Sequence, residues 1–171
     1  MADTPELNWA QLNELTNEVR GSSGPGTSAW KAEGSHTRAF NDAFIAEFRR
    51  SGGKMPGELG EVDLLLLTAT GAKSGEPRTV PLGFHRIEGR LCVIASMGGA
   101  DKNPPWFHNV VANPEVTVEL GTEVFRATAV VTEGEERDRL YDDVISRMAV
   151  FGEYQERTDR VIPVIELRPL P

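Results

Sequence analysis

Three stretches of this 171-residue chain hold residue types able to do chemistry. The first is "TATGAKSGEPRTVPLGF", Thr68 to Phe84, directly after an apolar run. It sets Lys73 and Arg78 among glycines, small hydroxyls and prolines. Backbone N–H groups with two cations make an anion nest, suited to phosphate or carboxylate. The same residues also fit an ordinary hairpin connection, with glycines supplying positive φ and a surface lysine. Nucleoside triphosphate chemistry is excluded by spacing: Ala72 separates Gly71 from Lys73, and Leu66 stands where the first glycine of a Walker loop belongs.

The second stretch is "ASMGGADKNPPWFHN", Ala95 to Asn109. A strand ends at Ser96, Gly98 and Gly99 follow, and a helix begins near the prolines. Glycines let a ligand approach the backbone, and a helix N-terminus attracts negative charge. Lys102 adds a cation, and Trp106 offers a flat apolar wall. A plain strand–loop–helix connection with Trp106 in the core accounts for the same pattern. The third stretch is "MAVFGEYQER". Met148, Phe151 and Tyr154 either cap the barrel or line a pocket mouth, with the Tyr154 hydroxyl as polar handle. His36, His85 and His108 are not paired with each other or with cysteine at ligand spacing, so no metal site is expected. Cys92 lies inside an apolar strand and reads as core, and Ser96 has no general base legible beside it.

Elements must position these groups. "VDLLLLTAT", "TVPLGFHRI", "RLCVIASM", "EVTVEL", "EVFRATAVVT" and a final "RVIPVIELRPL" read as strands separated by turn signals. Gly89 and Gly121 stand where tight hairpins need glycine. Strands in sequence without long crossovers predict an antiparallel sheet, closed or nearly closed into a barrel. "TRAFNDAFIAEFRRSGG" predicts a helix with Phe40, Phe44, Ile45 and Phe48 on one face, ended by Gly52 and Gly53. "NPPWFHNVVANP" predicts a second, capped by Asn103 and stopped at Asn113-Pro114. "TEGEERDRLYDDVISRMAV" predicts a third, with Thr132 and Glu135 in capping-box spacing.

Residues 1–35 read as a short helix and a flexible linker, and residues 36–171 as the barrel domain. Thr4 and Pro5 open the first helix, and Trp9, Leu12, Leu15 and Val19 form a narrow stripe. That stripe is able to pack on the domain, on a second subunit as a homodimer, or on a membrane surface, although it lacks the basic face of a membrane-surface helix. The formal net charge of −8 argues against a general nucleic-acid binder. A single cysteine makes no internal disulfide, and neither a secretory signal nor a run of about 18 apolar residues is visible, so the expected compartment is the cytoplasm, with the inner membrane face as the alternative.

Taken together, "LLLLTATGAKSGEPRTVPLGF", "LCVIASMGGADKNPPWFHNVVANPEVTVEL" and the late helix with its aromatic turn resemble the deazaflavin-dependent nitroreductases. These are split β-barrel flavin/deazaflavin oxidoreductases of actinobacteria that use coenzyme F-420. The resemblance covers about residues 60 to 168. It implies an α+β fold, a split β-barrel of mainly antiparallel strands with helices packed around it. It implies that Lys73 and Arg78, with the backbone of Ser74 and Gly75, hold the cofactor's phosphate or polyglutamate tail. Pro81 and Leu82 border the ring, and Ala95, Ser96, Met97, Gly98 and Gly99 lie along it, with Lys102 and Trp106 nearby. Met148, Phe151 and Tyr154 face the substrate, and Ser96 and Tyr154 are the candidate catalytic donors. Met97 stands where several members have lysine, and Met148 and Phe151 where some have tyrosine, which makes the pocket more apolar. The acceptor implied is flat and electron-poor: a menaquinone-like quinone, a nitroheteroaromatic or an activated enone. A flavin mononucleotide oxidoreductase on the same barrel, a non-enzymatic deazaflavin or hydrophobic-ligand carrier, and an interaction module are the competing readings.

Overall fold

The computed structural model describes residues 34–55 and 63–171. The stripe at Trp9, Leu12, Leu15 and Val19 lies outside the described residues, as does most of the linker. The first described helix, α1, is Gly34–Ser51, so it begins two residues before the boundary expected at 36. Gly52 and Gly53 end it in the left-handed region, φ 66° and 84°. There the Gly53 N–H turns back to the Phe48 carbonyl at 2.8 Å, satisfying a carbonyl of the last turn. Phe44 and Phe48 are buried against Met55 and Leu66.

Six strands follow: β1 (Leu64–Thr70), β2 (Pro77–Ile87), β3 (Arg90–Ile94), β4 (Glu115–Leu120), β5 (Glu123–Val131) and β6 (Val164–Pro169). They close into a barrel in the order β1-β2-β3-β6-β5-β4. Every pairing is antiparallel. The β2–β3 and β4–β5 hairpins turn at Gly89 and Gly121, φ 77° and 62°, as their sequence positions predict. Every strand has a neighbour on each side, although Pro77–Gly83 of β2 pair only with β1.

The long strand β2 decides where the site lies. Successive side chains alternate between the two faces of a strand. Val80, Leu82 and Phe84 turn inward onto the barrel core of Leu65, Leu67, Val93, Val118 and Ile165. Pro81, Gly83 and His85 therefore turn outward. Further along, Ile87 joins a second core outside the barrel wall, with Cys92, Val164, and Leu140, Tyr141 and Val144 of α3 (Gly134–Arg147).

Three local expectations are corrected. Thr132 does not cap α3: its buried hydroxyl donates to the Val164 carbonyl at 2.8 Å, because the end of β6 lies closer than the helix start. Asn103 does not cap α2 (Pro105–Ala112), whose N-cap is Pro104; the Asn103 Oδ1 instead accepts from Arg160 at 2.8 Å. The segment read as a turn around Gly152 is a helix, α4 (Val150–Glu156). Gly152 faces the Ile145 side chain of α3, where a Cβ would make an ordinary contact at 3.6 Å.

Candidate active site

The outward face of β2 floors a cavity of about 1220 Å³. Pro81, Gly83 and His85 make the floor with Ile94 of β3. Gly83 keeps it open, since a Cβ there would meet only the Asp63 carbonyl, at 3.8 Å. Asn41, Asp42, Ile45 and Arg49 of α1 form one wall, and Phe151 and Tyr154 of α4 the other. Arg78 and Thr79 of β2, Ser96, Met97 and Gly98 after β3, and the Pro104–Trp106 corner complete the lining.

The Arg78 guanidinium is half exposed and 3.7 Å from Glu76, an ion pair that solvent weakens. Beside it the Gly71–Glu76 turn is tightly self-bonded. The Gly71 N–H donates to Glu76 O, Gly75 N–H to Gly71 O, Ala72 N–H to Asn109 Oδ1, and Glu76 N–H to Ser74 Oγ. The Gly75 amide expected to bind an anion is thus already used, which leaves Lys73 and Ser74 as the turn's backbone donors. Gly71 has no positive φ; a Cβ there would displace the Ser74 hydroxyl, 2.5 Å away, and crowd the Glu76 carbonyl at 3.2 Å. Lys73, Ser74 and Gly75 are exposed and stand beyond the cavity lining, next to Arg78. The second guanidinium at the wall, Arg49, was not foreseen; its two hydrogen bonds to Glu119, 2.8 and 2.9 Å, neutralise it.

In the loop after β3 the backbone is unusual. Met97, Gly98 and Gly99 are all left-handed, φ 46°, 63° and 81°. Glycine adopts this readily, whereas methionine does so at a cost. Gly99 packs on α4, where a Cβ would lie 2.6 Å from the Tyr154 carbonyl. Two arginines absent from the sequence reading hold this loop. Arg160 donates to the carbonyls of Ala95, Ser96 and Ala100, and Arg157 to that of Gly98. In sequence Arg160 reads only as the start of a strand. The strand begins at Val164, and a cation heading an apolar run is the sole signal that something acidic or carbonyl-rich faces it.

Along the α4 wall, rings meet edge to face: His85 with Phe151 at 5.3 Å, and Phe151 with Tyr154 at 5.4 Å. The Tyr141 hydroxyl donates to the Phe151 carbonyl at 2.6 Å and fixes α4 against α3. Burial raises the Tyr154 phenol above its ordinary value and lowers the His85 imidazole below its own. Trp106 serves both of its readings, 9% exposed in the barrel core while one surface meets the cavity. Ala95 is fully buried, so only its backbone is near the site. Met148 is 45% exposed and outside the lining, and Lys102 is exposed and also outside it. The structure therefore brings Arg78, Pro81, Leu82, Ser96, Met97, Gly98, Trp106, Phe151 and Tyr154 to one cavity.

A bare-floored, largely apolar slot with a guanidinium in its lining suits a flat ring carrying an anionic tail. Comparison with known proteins gives a matching picture. The sequence profile of the F-420H(2)-dependent quinone reductase family matches residues 42–169. An F-420H(2)-dependent quinone reductase of Mycobacterium tuberculosis is 38% identical over 121 residues, covering 69% of this chain and 79% of that protein. A solved F-420-H2-dependent reductase is 42% identical, with a TM-score of 0.56, over 62% of this chain and 94% of the other. A structure described as a domain-swapped dimer is 36% identical with a TM-score of 0.58, over 78% of this chain and 98% of the other.

Proposed function

The chain belongs to the F-420H(2)-dependent quinone reductase family, and from that premise we propose that it reduces a flat, electron-poor acceptor, quinone-like in the first instance, at the expense of the reduced deazaflavin coenzyme. The observation that carries this reading is the slot over β2, its floor bare at Gly83 and its lining shared by Arg78 and the Ser96–Gly98 loop. When bound, the deazaflavin supplies a hydride from a ring carbon; the protein binds, orients and excludes water. Arg78, with Lys73 and the Ser74 amide beside it, holds the anionic phosphate or tail. Pro81, Leu82 and Trp106 border the ring. Phe151 and Tyr154 form the wall against which the acceptor lies.

Hydride transfer leaves negative charge on the acceptor, and a positioned donor there lowers the barrier. The Tyr154 phenol suits that role: a phenol is protonated across the neutral range, and burial raises its pKa further. The Ser96 hydroxyl is the second donor. A menaquinone-like quinone, a nitroheteroaromatic or an activated enone all have the required shape and electron demand.

Titration with oxidised coenzyme F-420, then turnover of the reduced form with menadione, tests the reading. Tight flavin mononucleotide binding with no response to the deazaflavin would sink it. Binding without turnover of any quinone or nitro compound would instead mark a carrier. Replacing the tail-binding cations (Lys73→Ala with Arg78→Ala) should weaken cofactor binding about tenfold or more, ~1.4 kcal/mol per decade, with the circular dichroism spectrum unchanged.

A further inference from the structure

Arg160 is half-buried, and burial lowers its pKa from the ordinary arginine value. Among the described residues no carboxylate pairs with it; Asp101 acts on it only through space. Its partners are neutral oxygens on one short segment: Ala100 O at 2.7 Å, Ala95 O at 3.1 Å, Ser96 O at 2.7 Å and Asn103 Oδ1 at 2.8 Å. Using a half-buried guanidinium this way is costly unless the geometry it enforces is needed.

That geometry has a consequence at the cavity. In a trans peptide unit the C=O and N–H point in opposite directions. The Ala95 and Ser96 carbonyls point at Arg160, which is not part of the cavity lining. The N–H groups of the same two peptide units, those of Ser96 and Met97, therefore point the other way, and both residues line the cavity. Ser96 is right-handed (φ −75°, ψ −40°) and Met97 left-handed (φ 46°). That succession gathers consecutive amides into an anion-accepting concavity. The Gly99 and Ala100 amides, by contrast, are spent inside the loop on Ser96 O and Met97 O.

We infer that Arg160 is a positioning residue of the active site: it grips the Ala95–Asn103 segment from behind so that the Ser96 and Met97 amides face the cavity as a donor pair for an oxygen that carries or gains negative charge. The inference rests on the proposed function for the identity of that oxygen, which belongs either to the cofactor ring or to the reduced acceptor. It also explains the methionine held left-handed. The conformation is what the grip enforces, and the donors are backbone, so they do not require the lysine that some relatives have there.

Arg160→Met removes every donor at roughly constant length. Amide hydrogen exchange on the variant without cofactor should quicken about tenfold or more at Gly99 and Ala100, whose amides are bonded within the gripped loop, with barrel-strand protection unchanged. Exchange identical to wild type would overturn the grip. Cofactor titration and steady-state kinetics with menadione read the donor pair. A rise of about tenfold in Kd places the oxygen on the cofactor; unchanged Kd with kcat down about tenfold places it on the acceptor. A folded variant with loosened exchange but unaltered Kd and kcat/KM would overturn the donor role. Should Arg160→Met fail to fold, Arg160→Lys carries the same measurements, since one ammonium cannot span the four acceptors. A wild-type protein that ignores the deazaflavin would overturn the proposed function and the ligand half of this inference, while the exchange data judge the grip independently.

Discussion

Tyr154 and His85 stand on either side of Phe151, and burial drives their protons in opposite senses. For Tyr154 the phenol stays a donor, so Tyr154→Phe should lower kcat by about 10²-fold, a typical worth for a positioned proton donor, with cofactor Kd unchanged. The wild-type rate should show no tyrosine ionisation through mildly alkaline pH. For His85, burial is the main cause of the lowered pKa; Arg147 adds to it, and Asp63 and Asp143 oppose it. The unfolded chain then takes up the proton at higher pH than the folded protein does. The stability this contributes is present above the ordinary value of 6.5 and is lost as pH falls through it toward the lower folded value. His85→Gln should flatten the fall in Tm over that acid window, measured by thermal unfolding across pH. At this scale the sequence was informative about type and mute about neighbours. Arg78, Ser96 and Tyr154 drew attention by chemistry and spacing. His85 did not, because a lone histidine in a strand has no partner visible in one dimension.

At the scale of elements, the glycine loop and α4 are one unit. Gly99→Ala combines a left-handed φ of 81° with a Cβ 2.6 Å from the Tyr154 carbonyl. It should cost about 1–3 kcal/mol in denaturant unfolding and push the loop off α4, weakening cofactor binding as well. Gly75→Ala shares the positive φ but has open space around it. It should cost no more than about 1–2 kcal/mol. The six strands and the first three helices were legible, because alternation, hairpin glycines and Asn-Pro stops are local signals. The helix α4 was not. It is seven residues with a central glycine, too short for a helical period to show. Its stability comes from tertiary contacts, among them the Tyr141 hydroxyl on the Phe151 carbonyl.

At the scale of the whole molecule, the barrel core and the cavity share the wall β2: the core uses its inward row and the cavity mainly its outward row, with Val80 and Leu82 belonging to both. Stability and ligand binding are therefore separable. Leu65→Ala empties a fully buried interior position and should destabilise by about 2–5 kcal/mol. The folded fraction should bind cofactor as wild type does, since the outward row of Pro81, Gly83 and His85 is untouched. A shifted denaturant midpoint with an unshifted Kd is the expected pair of results. What the sequence by itself determined is whatever rests on neighbours in the chain: strand alternation, hairpin turns, the glycine-bearing loops and the family pattern that runs through them. Only the tertiary structure decided which side of β2 faces a ligand, that Met148 and Lys102 stand outside the cavity, and that Arg157 and Arg160 hold the loop from behind. The physical reason is that these are contacts between residues about 60 positions apart. They are created by the closure of the barrel, and no local rule of spacing records them.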